Sequence, residues 1–204
     1  MGEKTSTCSD SPIIVTGVGR CGTSLTMAML EAGGFPVAGS LPLYEQPIND
    51  FITSGLCLTD KQLNAKFDPK DGTAYKVVIP FLQHLDARRS FRFIFCLRDP
   101  MQQALSQSKF SRIFFGNEVT PEGLKAAIEQ NMELTRWGIK HCQEWPGSSS
   151  MCRTFEQMIS EPMRYACELD SFAGCRLDLK AMRAVVRDRP VECSSDIELQ
   201  AKPT

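Results

Sequence analysis

Histidine is almost missing from this chain: only His84 and His141 occur in 204 residues. Two histidines without paired spacing cannot build a His-rich metal centre, and no structural zinc is expected. Cysteine is present in nine copies, but there is no C-x-x-C pair, and the odd number argues against a closed disulfide framework. The opening stretch Met1 to Asp10 is polar and lacks the apolar core of a secretory leader, so the chain reads as a reduced, cytoplasmic protein. Met1-Gly2-Glu3-Lys4-Thr5-Ser6 fits the loose myristoylation pattern, a match so short that it recurs by chance. No run approaches the roughly 20 apolar residues of a membrane span. An excess of one charge sign is lacking too. With 23 basic and 24 acidic residues the net charge is -1, which leaves no global field for nucleic acid or an anionic membrane. Any anion site must be built locally.

Repeats and clear linkers are also absent, and the length suits one domain with its own core. Residues 1–11 read as a disordered polar tail, 12–190 as the domain and 191–204 as a polar C-terminal tail.

What is present is concentrated in Ile13-Ile14-Val15-Thr16-Gly17-Val18-Gly19-Arg20-Cys21-Gly22-Thr23-Ser24, a β-branched run that breaks into glycines and enters a helix. Glycines allow a tight turn with inward N–H groups, and the helix start adds unpaired donors and a positive dipole end, which together cradle a phosphate. Two patterns fit. Gly17-x-Gly19-x-x-Gly22 matches the dinucleotide fingerprint, but the region 35–42 offers no acidic residue to hold a ribose. Gly17-x-x-x-x-Gly22-Thr23-Ser24 matches a P-loop except that Thr23 replaces the lysine, while a cation, Arg20, stands inside the loop.

The rest of the chain alternates strand and helix. Strands are expected over about 12–17, 74–79, 91–97 and 150–155, and helices over about 22–32, 58–66, 101–110, 121–144, 162–173 and 178–187. A short helical stretch is also expected after Pro80, running to about Arg88. Phe91 to Leu97 is the most apolar run and reads as a central strand, and Thr120-Pro121-Glu122 is a helix start. This order is the α/β signature, with a parallel sheet covered on both faces. The proline-punctuated segment 35–70 reads either as a surface excursion or as an acceptor-binding stretch.

The loop Gly19-Arg20-Cys21-Gly22-Thr23-Ser24 resembles the 5′-phosphosulfate loop P-[KR]-S-G-T-[ST] of sulfotransferases, with glycine for proline and cysteine for serine. Arg98 and Ser106, eight residues apart at a strand end and on the following helix, match the pair with which that family binds the donor's 3′-phosphate. An arginine fork suits phosphate oxygens, and the serine lies just over two helical turns on. The competing reading pairs Arg98 with a carboxylate such as Asp99. Thr154-Phe155-Glu156-Gln157-Met158-Ile159-Ser160-Glu161-Pro162 is similar to the family's Y-E-D-L-x-x-x-P segment, a fold marker in which Phe155 and Met158 pack.

The resemblance implies a three-layer α/β/α P-loop fold with a central parallel sheet. It also implies transfer of a sulfuryl group from 3′-phosphoadenosine 5′-phosphosulfate to a hydroxyl or amine acceptor, small-molecule or macromolecular, without a metal. Gly19, Arg20, Cys21, Gly22, Thr23, Ser24, Arg98 and Ser106 would then bind the donor. Lys76, at the strand end facing the loop, would stabilise charge during transfer together with Arg20. The family's K-x-H-L-P reads here Lys76-Val77-Val78-Ile79-Pro80, so Val78 stands where the catalytic histidine is expected, and a valine accepts no proton. Glu45, Asp50 and His84 are the candidate replacements. Cys21, beside Arg20 at a helix start, carries the ingredients of a lowered thiol pKa, but the phosphatase spacing needs an arginine at 27, where Met27 stands. Arg183, Arg187 and Arg189 read either as a late basic cluster touching the 3′-phosphate or as a solvated helix face. The alternative function is a non-catalytic nucleotide-binding or structural assembly protein, permitted by the missing histidine, the chain's shortness for this family and Thr23. An ATP or GTP hydrolase is disfavoured by Thr23 and by Arg98 at the end of the would-be Walker B strand.

Overall fold

The structure is a computed structural model that describes residues 11–40 and 69–187. The tails, the helix expected over 58–66, and Glu45, Asp50 and Arg189 lie outside the described residues. Four strands, β1 (Ile13–Thr16), β2 (Ala74–Lys76), β3 (Arg92–Leu97) and β4 (Ser149–Thr154), form a sheet ordered β2-β1-β3-β4. All three pairings are parallel, with Ile13 opposite Ala74 on one side and Arg92 on the other, and Arg92 opposite Ser149.

The helices are α1 (Thr23–Ala32), α2 (Pro100–Phe115), α3 (Pro121–Gln143), α4 (Phe155–Ser160), α5 (Pro162–Ala173) and α6 (Leu179–Val185). Side chains alternate across a strand, so β1 and β3 supply both cores. Ile13, Val15, Ile94 and Cys96 pack with Met27 and Leu30 of α1, Tyr165 and Leu169 of α5 and Met182 of α6. Ile14, Phe93 and Phe95 face the other way, onto Ile79, Leu82, Cys142 of α3 and Trp145. The result is three layers, as expected from the alternation of elements.

Strand order decides where a ligand can sit. The chain leaves β1 towards β2 and leaves β3 in the opposite direction towards β4, so the carboxyl ends of β1 and β3 flank the crevice where open α/β sheets bind ligands. The glycine loop follows β1 and Arg98 follows β3.

Two expectations are corrected. The strand over 74–79 stops at Lys76, and a 3-10 helix, Ile79–His84, takes the place of the helical stretch to Arg88. Val77 N–H still reaches Val15 O at 3.0 Å, but Ile79 N–H turns to Gly17 O of the loop at 3.2 Å, and the following proline has no N–H with which to extend a ladder. The second correction is α4, which the sequence reading passed over. Thr154 Oγ1 accepts from Gln157 N–H and Gln157 Oε1 accepts from Thr154 N–H, each at 3.2 Å, closing a capping box whose T-x-x-Q signature was visible in the chain.

Buried polar groups tie the layers together. Arg92, at the start of β3, donates Nη1 to Phe172 O at 2.8 Å and Ala173 O at 3.0 Å, placing a cation on the last carbonyls of α5. Thr26 of α1 lies 2.9 Å from the Tyr165 hydroxyl of α5 and 3.3 Å from Cys96 Sγ of β3, and all three are buried. Replacing Thr26 by valine keeps the shape but strands the Tyr165 hydroxyl, at a cost of about 1–3 kcal/mol. Urea unfolding of Thr26→Val is expected to show a lower midpoint at unchanged slope. An unchanged midpoint would mean that the hydroxyl pair does not hold α1 to α5.

Candidate functional site

The loop between β1 and α1 is shaped by two close approaches. Gly17 has φ +149°, and a Cβ there would lie 2.4 Å from both Cys96 O and Cys21 Sγ, so only hydrogen fits. Gly22 caps α1 at φ +101°, and a Cβ would press to 3.0 Å on Phe155 and Met158. Arg20 takes φ +72°, the only positive-φ non-glycine among the described residues.

The loop's carbonyls are held from α2. Gln103 Nε2 donates to Val18 O at 3.1 Å and Gly19 O at 2.9 Å, and Gln107 Nε2 donates to Gly19 O at 3.2 Å. Gln107 and the buried Asn131 of α3 exchange two hydrogen bonds, at 3.2 and 2.9 Å. In a trans peptide the C=O and the following N–H point opposite ways, so turning these carbonyls towards α2 turns the N–H groups of Gly19 and Arg20 away from it. Loop donors are thereby set before any anion arrives.

Two cations reach the loop from other elements, and a third is its own. Lys76, buried at the end of β2, donates Nζ to Ser24 Oγ in the first turn of α1 at 3.0 Å, bringing from a neighbouring strand the ammonium that Thr23 cannot supply. Arg20 Nε donates to the buried Ser106 Oγ at 3.2 Å, and its Cζ lies 5.5 Å from the centre of the Phe110 ring. Arg98 Nη1 donates to Arg20 O at 3.2 Å, and its guanidinium lies over the Phe155 ring at 4.5 Å. Among the described residues, its buried Nε has no hydrogen-bond partner.

The pairing of Arg98 with Asp99 is not what the fold makes. Asp99 is the N-cap of α2, its Oδ1 accepting from Gln102 N–H at 2.9 Å, and its own N–H donates to Glu156 Oε1 at 3.3 Å. No carboxylate among the described residues pairs with Arg98.

The expectation of an activated Cys21 is overturned. The thiol is buried beneath the loop, and burial first, then the neighbouring Cys96, pushes its pKa well above the ordinary value. A hydrogen bond from the backbone of Thr23 and the charge of Lys76 act the other way and lose. A helix start lowers a thiol pKa only where the thiolate keeps some solvation. Cys96 is likewise pushed up to about 12 by burial.

His84 ends the 3-10 helix on the way back to β3, its ring 6.5 Å from that of Phe81 and its Nε2 3.3 Å from Gln83 Nε2. Val78 sits in extended backbone just before that helix. Arg183 and Arg187 are exposed at α6, which packs through Met182 against Gly33, at the end of α1 away from the loop; this favours the solvated face. Among the described residues, no His, Cys, Asp and Glu side chains gather in a group of three or more that could hold a metal.

Sequence reasoning missed the glutamines. Gln103 and Gln107, one turn apart and flanking Ser106, were readable as one polar face of α2. Asn131 carried no local signal, because only the packing of α2 on α3 makes it a partner.

A glycine loop at a sheet switch point, with a strand lysine and two arginines around it, sits in an α/β fold of the P-loop type, its cations placed outside the P-loop lysine position. The fold is that of sulfotransferase domains. Similar solved structures include the sulfotransferase domain of the Synechococcus PCC 7002 olefin synthase, with a TM-score of 0.53 and 13% identity over 89% of this chain and 79% of that one. The sulfotransferase domain from the curacin biosynthetic pathway gives 0.51 and 12% over 84% and 76%. A mouse sulfotransferase complexed with PAP gives 0.49 and 13% over 87% and 63%. No family model and no curated protein matches the sequence. Among the described residues, no helix is long and apolar enough to cross a membrane.

The burial of Cys21 sets a chemical expectation. Iodoacetamide at neutral pH is expected to label the exposed Cys167 and leave Cys21 unmodified in the folded protein, with both labelled in urea. Peptide mass mapping reads the outcome, and rapid labelling of Cys21 in the native state would contradict its burial.

Proposed function

We propose that this chain binds 3′-phosphoadenosine 5′-phosphosulfate in the crevice between the carboxyl ends of β1 and β3, and transfers its sulfuryl group to a hydroxyl or amine. The observation that carries this reading is Arg98: a guanidinium at the end of the central strand, backed by an aromatic face, and, among the described residues, without a carboxylate partner and with a buried Nε lacking an acceptor. A buried donor without an acceptor costs about 1–3 kcal/mol, and a phosphate in the crevice offers the missing acceptors. Ser106, which accepts from Arg20 Nε, would add a hydroxyl donor to the same anion.

The roles follow from chemistry. The N–H groups at the loop and at the start of α1, from Gly19 to Ser24, would hold the 5′ end. Lys76 would neutralise charge gathering on the oxygen between phosphate and sulfate as that bond breaks. In-line positioning supplies the remainder, because little proton chemistry is needed on the leaving group. The acceptor's proton needs a base, for which Glu45, Asp50 and His84 remain the candidates.

A second reading keeps donor binding and removes transfer. Val78 favours it, since an apolar residue stands two positions after Lys76, where the resemblance puts a proton acceptor. Binding and transfer therefore need separate measurements.

Calorimetric titration tests the first step. Adenosine 3′,5′-bisphosphate is expected to bind at least tenfold more tightly than adenosine 5′-monophosphate, with Arg98→Ala removing most of that preference and Ser106→Ala costing less. Equal binding of the two nucleotides by the folded protein would remove the 3′-phosphate site and the sulfotransferase reading with it. Transfer is tested with radiolabelled donor against phenolic, alcoholic and amine acceptors. Tight bisphosphate binding with no labelled product from any acceptor class would select the non-catalytic reading.

A further inference from the structure

We infer that Asn131, a buried residue of α3, is a positioning residue for the glycine loop: it holds the Gln107 amide of α2 so that this amide fixes the peptide plane between Gly19 and Arg20, and with it the direction of the loop's N–H donors. The inference rests on the anion-binding reading above and adds to it a control point on a helix that carries none of the proposed ligand contacts.

Asn131, Gly138 and Cys142 are the buried residues of α3, and their spacing puts them on one stripe of the helix, with Asn131 as its polar member. Burying an amide is costly unless its polar atoms are bonded, and here both ends of it serve a single side chain. Asn131 Oδ1 accepts from Gln107 Nε2 at 3.2 Å, and Asn131 Nδ2 donates to Gln107 Oε1 at 2.9 Å. Gln107 Nε2 also donates to Gly19 O at 3.2 Å, so both N–H donors and the oxygen of that amide are in use. Turned over by itself, the amide would face Oε1 towards Gly19 O and Asn131 Oδ1, acceptor against acceptor. Turned over together with Asn131, it would still oppose Gly19 O with an acceptor. One orientation of the pair satisfies every group.

The helix behind the pair is held close to the sheet. Gly138 brings α3 so near that a Cβ there would lie 2.9 Å from both Ile79 and Phe95. The chain leaves α3 at Gln143 and enters β4 at Ser149, on the amino edge of the sheet. Stepping back along the helix from Gly138 to Asn131 therefore moves about 10 Å towards the carboxyl edge, where the loop lies. Gln103 Nε2 holds Val18 O and Gly19 O from the previous turn of α2, while Gln107 ties Gly19 O to a second helix. Without Asn131, Gln107 Oε1 loses its donor, and an amide freed at one end turns to water and loosens its hold on the loop. Dipoles that must first reorient bind charge less well than dipoles already aimed, so the consequence is a weaker grip on an anion.

The test uses the full chain, with adenosine 5′-monophosphate as the probe and Asn131→Leu, Gln107→Leu, the double variant and Thr120→Ala as the proteins, each checked for folding by thermal melting. Thr120 caps the same helix, its Oγ1 accepting from Gly123 N–H at 3.1 Å, so its alanine variant loosens the start of α3 without touching the amide pair. Calorimetry reads the affinity. The backbone amide nitrogen resonance of Arg20, taken without ligand, reads the loop, because it shifts when hydrogen bonding to Gly19 O of the same peptide changes. Asn131→Leu and Gln107→Leu are each expected to displace that resonance and to lose about fivefold or more in affinity, with the double variant no more than about twofold below the weaker single one. Thr120→Ala is expected to melt at a lower temperature, leave the resonance in place and bind within about twofold of wild type. An unmoved Arg20 resonance in Asn131→Leu overturns the inference, as does a double variant whose losses multiply, or a Thr120→Ala variant that loses as much as Asn131→Leu. Should Asn131→Leu fail to fold, Asn131→Asp keeps the shape and the acceptor but not the donor to Gln107 Oε1, and the same resonance decides. A wild type that binds no nucleotide fails differently: it removes the proposed function, while the Arg20 resonance still tells whether Asn131 positions the loop.

Discussion

The close approach of Gly17 to the carbonyl of Cys96 is the constraint on which the arrangement depends. With no Cβ at Gly17, the chain leaving β1 turns directly against the end of β3, and the Arg20 carbonyl comes within 3.2 Å of Arg98 Nη1. Any larger side chain at 17 would meet the backbone of the central strand, and neither partner could yield without breaking sheet pairing. The proximity of the loop cation to the strand-end cation, the burial of Cys21 and the turn of Ile79 onto Gly17 O all stem from that contact.

Putting several cations at one crevice is electrostatically costly, and polarisable and polar neighbours among the described residues lower that cost. Phe155 lies under Arg98, Phe110 lies beside Arg20, and Ser24 and Ser106 accept from Lys76 and Arg20. Among the described residues the carboxylates beside Arg98 in the chain and fold are engaged elsewhere: Asp99 caps α2, and Glu156 accepts from the backbone of Asp99. Had either closed an ion pair with Arg98, the guanidinium would already be satisfied and an incoming anion would have to displace a partner. An Arg98 without a carboxylate partner among the described residues is one that an incoming anion can engage, and this supports the proposal of nucleotide binding over a purely structural role.

The glutamine pair of α2 gives the loop a rigidity that hydrophobic packing could not. Carbonyls bonded to Gln103 and Gln107, with Gln107 braced by Asn131, fix the peptide planes and hence the direction of the loop N–H groups. Preorganised dipoles do not need to reorient when charge appears, and that is the form of electrostatic help a group transfer without covalent chemistry requires.

Much of this was determined by the sequence alone. Alternation of apolar β-branched runs with periodic helical segments defines the α/β class, because a strand buried on both faces and a helix with one apolar stripe have few other ways to pack. The glycine spacing marks the candidate phosphate loop, and the eight-residue separation of Arg98 and Ser106 follows from one strand end and two helical turns. Local chemistry sufficed there, since each feature depends on residues close in the chain. Tertiary structure decided the remainder. Lys76 and Ser24 are 52 residues apart, Arg20 and Ser106 are 86 apart, and only the strand order β2-β1-β3-β4 brings either pair together. The Cys21 thiol was misjudged for the same reason: its neighbours in the chain argue for a lowered pKa, while the sheet and the helices that cover it remove the water a thiolate needs.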